Sequence, residues 1–170
     1  MGKALPNFDA LVPNYPTSKD FKVVRAAIGG DVDKDWYENT CIMRVSKALN
    51  YAKHPIPADS GAFKTRRGAD KMWYGLGVQQ FWEYLEKHYG KPTVYAEKDN
   101  KSGRIPYEKF KGYQGIIGFR VKGWHDASGH FTLFDGVNLL YVGDHPDYWG
   151  IAYKAALWRA GNLWVTSPDV

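Results

Sequence analysis

The hydrophobic period of this chain changes once, and the change sets what the chain can fold into. Before Pro92 the apolar residues recur at helical spacing; after it they alternate or fall in short runs. A helix buries one stripe and a strand one face. Helices followed by strands therefore predict an α+β fold, with N-terminal helices packed on a small antiparallel β-sheet. The 170 residues suffice for one such domain with a substantial core, taken as residues 1–170.

Three helices are expected. SKDFKVVRAAIGG, residues 18–30, puts Phe21, Val24, Ala27 and Ile28 at helical spacing, with Ser18 as cap and two glycines as stop. Residues 40–53 follow, with Cys41, Val45, Ala48, Leu49 and Ala52 on one face and Pro55 and Pro57 beyond the end. Residues 56–75 read as a loop. Val78, Phe81, Trp82, Leu85 and Tyr89 then mark a third amphipathic helix, closed by GKP at 90–92.

The strands come next. TVYA at 93–96 is short, KDNKSGR is a polar loop, and QGIIGFRV at 114–121 is a central strand. HFTLF at 130–134 runs into Asp135-Gly136, a two-residue hairpin signal, and VNLLYV at 137–142 is its expected partner. IAYKAALWRAG fits a helix or a strand, and NLWVT at 162–166 is a last strand.

Composition narrows the function. A net charge of +5 suits an anionic partner without naming one. The densest basic stretch, KTRRGADK, reads as a solvated loop, and no nucleic-acid-binding motif accompanies it. No apolar run reaches the roughly 18 residues of a membrane span, so no membrane insertion is expected. The N-terminus has no uninterrupted apolar region and no cleavage site, and Pro6 spoils the simple myristoylation pattern after Met1-Gly2. The expectation is a protein made in the cytoplasm without a signal peptide. One cysteine excludes an intrachain disulfide, and with 5 dispersed histidines there is no zinc-ligand spacing, so no metal or other cofactor is expected.

That cysteine, Cys41, carries the chemistry if anything does. It lies in ENTCIMRVSKALN, just after two capping residue types, Asn39 and Thr40. A helix start offers unpaired N–H groups and partial positive charge, and both favour a thiolate. The alternative is a small buried hydrophobe. A nucleophile needs a base and a group that orients the base. His130 begins an alternating strand, with Thr132 and Phe134 on its face, and can point from the strand mouth at a helix N-terminus packed on the sheet. Asp135 would lie about 16 Å away on the opposite face and is a turn residue. A two-residue turn pairs His130 with Tyr141; a longer loop brings Asp144 opposite. Asp144 is the nearest carboxylate for orienting the imidazole, with Asp126 in reserve.

In order along the chain, IGGDV, ENTCIMRVSKALN, the GAD of RRGADKMWYGLGVQQFWEYLEKHYGKP, GWHDASGHFTLFDG and the closing LWV resemble the type VI secretion amidase effectors of the fourth family, from about Phe8 to Pro168. The resemblance implies a papain-like fold of the NlpC type. It implies a peptidoglycan amidase that cuts stem peptides between γ-D-glutamate and meso-diaminopimelate, delivered into a rival's periplasm by the secretion apparatus. It also implies a cognate immunity protein that plugs the active site. Cys41 matches the family's nucleophile and His130 its base. The family places an Asp shortly after the hairpin turn, often between two disulfide-bonded cysteines. This chain has neither cysteine; its nearest Asp is Asp144, and Tyr141 holds the gap-free position. The Cys41 backbone N–H is the expected oxyanion donor. Two other readings stay open: a wall hydrolase of the same fold used for remodelling or defence, and an inactive wall-binding relative.

Overall fold

A computed structural model describes residues 2–122 and 129–161. The helices are α1 (Phe8–Leu11), α2 (Phe21–Ile28), α3 (Cys41–Tyr51), α4 (Val78–Tyr89) and the short α5 (Tyr148–Ile151); the strands are β1 (Thr65–Arg67), β2 (Trp73–Gly75), β3 (Val94–Glu97), β4 (Gln114–Arg120), β5 (Gly129–Asp135) and β6 (Lys154–Arg159). The larger sheet is antiparallel in the order β3-β6-β4-β5, so β5 is an edge strand. This is the expected α+β architecture. None of the described helices is long and apolar enough to cross a membrane.

Alternation along the strands divides the core into two layers. Ile116, Phe131, Leu133, Ala156 and Trp158 face α3 and α4, where they meet Val45, Leu49, Phe81, Trp82 and Leu85. Ile117, Phe119, Phe134, Ala155 and Leu157 face the other way, under Ile105, Phe110 and Tyr148.

Helix α3 departs from the amphipathic expectation. Cys41–Ser46 and Ala48–Asn50 are all buried, so the face read as polar is covered as well. The covering segments satisfy most of its polar groups. The Arg44 guanidinium donates to the Thr40 hydroxyl and to the carbonyls of Pro16 and Ser18. Ser46 Oγ accepts from the Gly75 N–H at 3.0 Å, and Asn50 bridges the Trp73 carbonyl and the Ile56 N–H at 2.8 Å each. The Arg, Ser and Asn that follow the cysteine thus tie a central helix to what wraps it.

Some expected elements differ. Asp20, not Ser18, caps α2, accepting from the Lys22 N–H at 2.9 Å. The expected loop at 56–75 contains the β1–β2 pair, closed by Asp70, which accepts from both Tyr51 and Tyr74 hydroxyls. The stretch that fitted helix or strand is β6, placed between β3 and β4. The Asp135-Gly136 hairpin is longer than two residues. Asp135 Oδ1 accepts from the N–H groups of Val137 and Asn138, and Phe134 bridges Leu139 rather than Val137. An Asp side chain that caps its own turn competes with the tight two-residue loop. The return segment leaves the sheet after that bridge and does not become a strand. The expected strand at 162–166, and Trp124 and Asp126 of the GWHDASGHFTLFDG motif, lie outside the described residues.

Candidate active site

Cys41 is the first residue of α3 and His130 the second of β5, and the two elements pack together. The backbone N–H groups of Phe131 and Ile42 both face the sulfur. The Phe131 N–H is available because β5 has no strand on that side. The residue after His130 therefore meets the thiol through its backbone, so Cys41 packs beside the start of β5.

His130 is 2% exposed. Its ring stacks on Tyr148 with centroids 4.7 Å apart, and its Nε2 lies 2.8 Å from the backbone carbonyl of Tyr141. A carbonyl only accepts, so Nε2 carries the proton and Nδ1 is left with the lone pair. The gap-free position thus supplies the orienting group through its backbone, while its ring lies tilted against the imidazole with centroids 5.7 Å apart. The longer hairpin shifts the register so that Gly143 falls opposite His130. A Cβ on Gly143 would lie 2.7 Å from Cε1 and 2.8 Å from Nδ1 of the imidazole.

Asp144 is exposed and contributes no hydrogen bond to His130; its carboxylate acts on Cys41, Tyr141 and Arg44 through its charge. Cys41 is also not a ready thiolate. Burial pushes its thiol up to about 11, against the pull of the Phe131 N–H toward lower values. Burial pushes the His130 imidazole down to about 4. The pair rests neutral near pH 7 as thiol and imidazole, which corrects the expectation drawn from the helix start alone: desolvation outweighs the helix dipole at a buried terminus. The Cys41 N–H is not free either, since it donates to Asn39 Oδ1 at 3.1 Å. It can serve an oxyanion only once the Asn39 carboxamide yields it.

Residues 37–158 match the model of the family described as type VI secretion system amidase effector protein 4, Tae4. The chain belongs to that family.

Solved structures agree with this. The type VI effector Tae4 from Enterobacter cloacae superposes with a TM-score of 0.79 at 27% identity, covering 95% of this chain and 100% of that one. In the Tae4–Tai4 effector–immunity complex from Enterobacter cloacae the values are 0.77 and 27%, with 92% of this chain and 99% of that chain covered. For the complex from Salmonella Typhimurium they are 0.75 and 26%, with the same 92% and 99%. No curated protein matches the chain in sequence. The shared fold is the papain-like NlpC type, and as a Tae4-family member the protein is a type VI secretion amidase effector acting on peptidoglycan.

The neutral pair of this Tae4-family site has a consequence for stability. An unfolded His130 takes up a proton near pH 6.5 and the folded one only near 4, so stability falls as pH drops through that window. An unfolded Cys41 ionises near 9 and the folded one near 11, so stability also falls as pH rises between them. Each limb is worth up to about 3 kcal/mol. Urea denaturation across pH is expected to show a dome, with the acid limb weakened in His130→Gln and the alkaline limb weakened in Cys41→Ala. Limbs of unchanged slope in both variants would mean that other groups set the pH dependence.

Sequence reasoning missed Tyr148 and Gly143, which touch the imidazole, and Tyr15 and Thr132 beneath Tyr141. The glycine of YVGDHP was the one visible sign, because a lone glycine after a hydrophobic run marks a close approach.

Proposed function

We propose that the protein hydrolyses the amide between γ-D-glutamate and meso-diaminopimelate in peptidoglycan stem peptides, with Cys41 as nucleophile and His130 as general base. The observation that carries this reading is the Nε2–Tyr141 carbonyl hydrogen bond beside a buried cysteine at a helix start. It leaves Nδ1 as the one basic atom of the imidazole.

As substrate enters, Nδ1 takes the thiol proton and the sulfur bonds to the γ-carbonyl carbon. The carbonyl oxygen gains negative charge at the N-terminus of α3, whose dipole and N–H groups favour it. The imidazolium returns its proton to the diaminopimelate nitrogen as the C–N bond breaks. A water then attacks the thioester, giving up a proton to His130, and releases the glutamate γ-carboxylate and the thiol. The resting pair need not be ionic, because proton transfer and attack can be concerted.

Tyr141 orients His130 through its carbonyl, and Asp144 acts at longer range, through its charge on Cys41, Tyr141 and Arg44. Asp144→Asn is therefore expected to lower turnover of a purified muropeptide by about tenfold or less. If it were as inactive as Cys41→Ala, the carboxylate and not the carbonyl would be the orienting group.

Immunity partners occupy the solved complexes of the relatives, and a cognate Tai4-like protein is expected for this chain. Delivery into the periplasm of a target cell puts the enzyme beside its substrate. Digestion of purified sacculi, read by mass spectrometry, tests the cleavage: the expected products carry a free diaminopimelate amine and a free γ-carboxyl. Products cut at the N-acetylmuramoyl–L-alanine bond instead would replace this assignment with a different amidase specificity.

A further inference from the structure

Arg44 is an unusual core residue. It lies one turn after Cys41 on α3, is fully buried, and forms no ion pair with a carboxylate among the described residues. A buried cation without a counter-ion is costly, so its surroundings must compensate. Its Nε donates to Thr40 Oγ1 at 2.9 Å, and its Nη1 to the carbonyls of Pro16 at 3.1 Å and of Ser18. Its Nη2 has no hydrogen-bond partner among the described residues. Its Cζ stands 3.6 Å from the centroid of the Tyr141 ring.

The bonds to Pro16 and Ser18 account for a structural tie to the N-terminal segment. They do not account for the stack on Tyr141. That residue lies beyond the end of strand pairing: the Phe134–Leu139 bridge and the Leu140 N–H to Leu133 carbonyl bond, 2.9 Å, are the last ladder contacts. The Tyr141 N–H turns instead to Thr132 Oγ1 at 3.1 Å, and the Tyr15 hydroxyl lies 2.9 Å from that same oxygen. Yet the Tyr141 carbonyl is what holds His130 Nε2. Outside the ladder fewer backbone bonds fix the Tyr141 peptide, so an anchored side chain narrows the directions its carbonyl can take.

We propose that Arg44 is a positioning residue. By clamping the Tyr141 ring to the cysteine helix, it aims the Tyr141 carbonyl at His130 and couples the orientation and tautomer of the base to the place of the nucleophile. This rests on the Cys41–His130 reading above. The guanidinium's charge also acts on Tyr15, Cys41 and His130, and the Asp144 carboxylate acts on it in turn. The Arg44 charge adds to the effect of burial in disfavouring a protonated His130, and it favours a Cys41 thiolate.

The test uses a soluble muropeptide containing the γ-D-glutamyl–meso-diaminopimelate bond, after wild-type activity has been shown to vanish in Cys41→Ala. Persistence in Cys41→Ala would refute the underlying reading and not the clamp alone. Arg44→Lys keeps a charge but loses the planar stack, Arg44→Met loses both, and Tyr141→Leu removes the ring while keeping the carbonyl. Tyr141→Leu and Arg44→Met are each expected to lower kcat about 10- to 100-fold with KM within about twofold. Arg44→Lys should not restore the rate. The Tyr141→Leu, Arg44→Met double variant should be no slower than the slower single variant. Imidazole 15N shifts should show the Nε2–H tautomer of His130 in wild type and a mixture in Tyr141→Leu. The His130 titration should move up in Arg44→Met, where the cation is gone, and less in Tyr141→Leu. If Arg44→Met does not fold, Tyr141→Leu decides alone. Wild-type kcat and an unchanged tautomer in folded Tyr141→Leu would overturn the proposal and leave Arg44 as a tie to the N-terminal segment.

Discussion

Sacculi treated with Cys41→Ala are expected to release no new diaminopimelate amines, at a rate at least about 10³-fold below wild type. The argument is chemical. Covalent catalysis needs an atom that can attack the carbonyl and then leave, and a methyl group does neither. Among the described residues no group of histidines, cysteines and carboxylates could hold a metal ion to activate water in its place. The loss should come without unfolding. Cys41 is 1% exposed, so removing its sulfur leaves a cavity of about one heavy atom, at a cost of about 1 kcal/mol. Circular dichroism and the denaturation midpoint check that part. A folded Cys41→Ala protein that still digests sacculi would remove the cysteine mechanism altogether.

Gly143→Ala is expected to lower activity by about 10²-fold by displacing the His130 imidazole. Gly143 has φ +87, where a side chain is strained, and its added Cβ would meet His130 Nδ1 at 2.8 Å and Tyr148 Cε2 at 3.0 Å. The imidazole has no room to yield, being buried and stacked on Tyr148. Either the ring leaves its hydrogen bond to the Tyr141 carbonyl or the loop moves off the ring. Both misplace the base. Gly103→Ala is the control. It has φ +70 but open space around its Cβ, so it carries similar backbone strain, about 1 kcal/mol, with no imidazole to displace. It should lose stability and keep activity, measured as kcat on a muropeptide against urea midpoint. Equal activity losses in the two variants would show that strain, not collision with His130, is responsible.

Much of this architecture could be read in advance. The expected third helix is α4, from Val78 to Tyr89, because its amphipathic period and terminal glycine are local signals. Strands β4 and β5 stand where alternation put them, with His130, Thr132 and Phe134 on one face. The cysteine does begin a helix. These features depend on residues close in sequence, and their physics is short-ranged.

The rest of the site depends on contacts that the sequence pattern does not encode locally. Asp144 was selected as the nearest carboxylate, but a capped turn lengthened the hairpin and set the Tyr141 carbonyl and Gly143 against His130. A backbone acceptor has no residue type, so no motif announces it. The same holds for the charge state of the pair. A helix start by itself favours a thiolate, but the N-terminal segment, the sheet and α4 bury Cys41, while Tyr148 and the hairpin return cover His130, and desolvation then keeps both neutral. The sequence by itself determined most of the helices and strands, the family and the two side chains proposed to react. Only the tertiary structure decided what holds the base and how the pair is charged, because register across a long turn and burial from several directions are sums over segments distant in the chain.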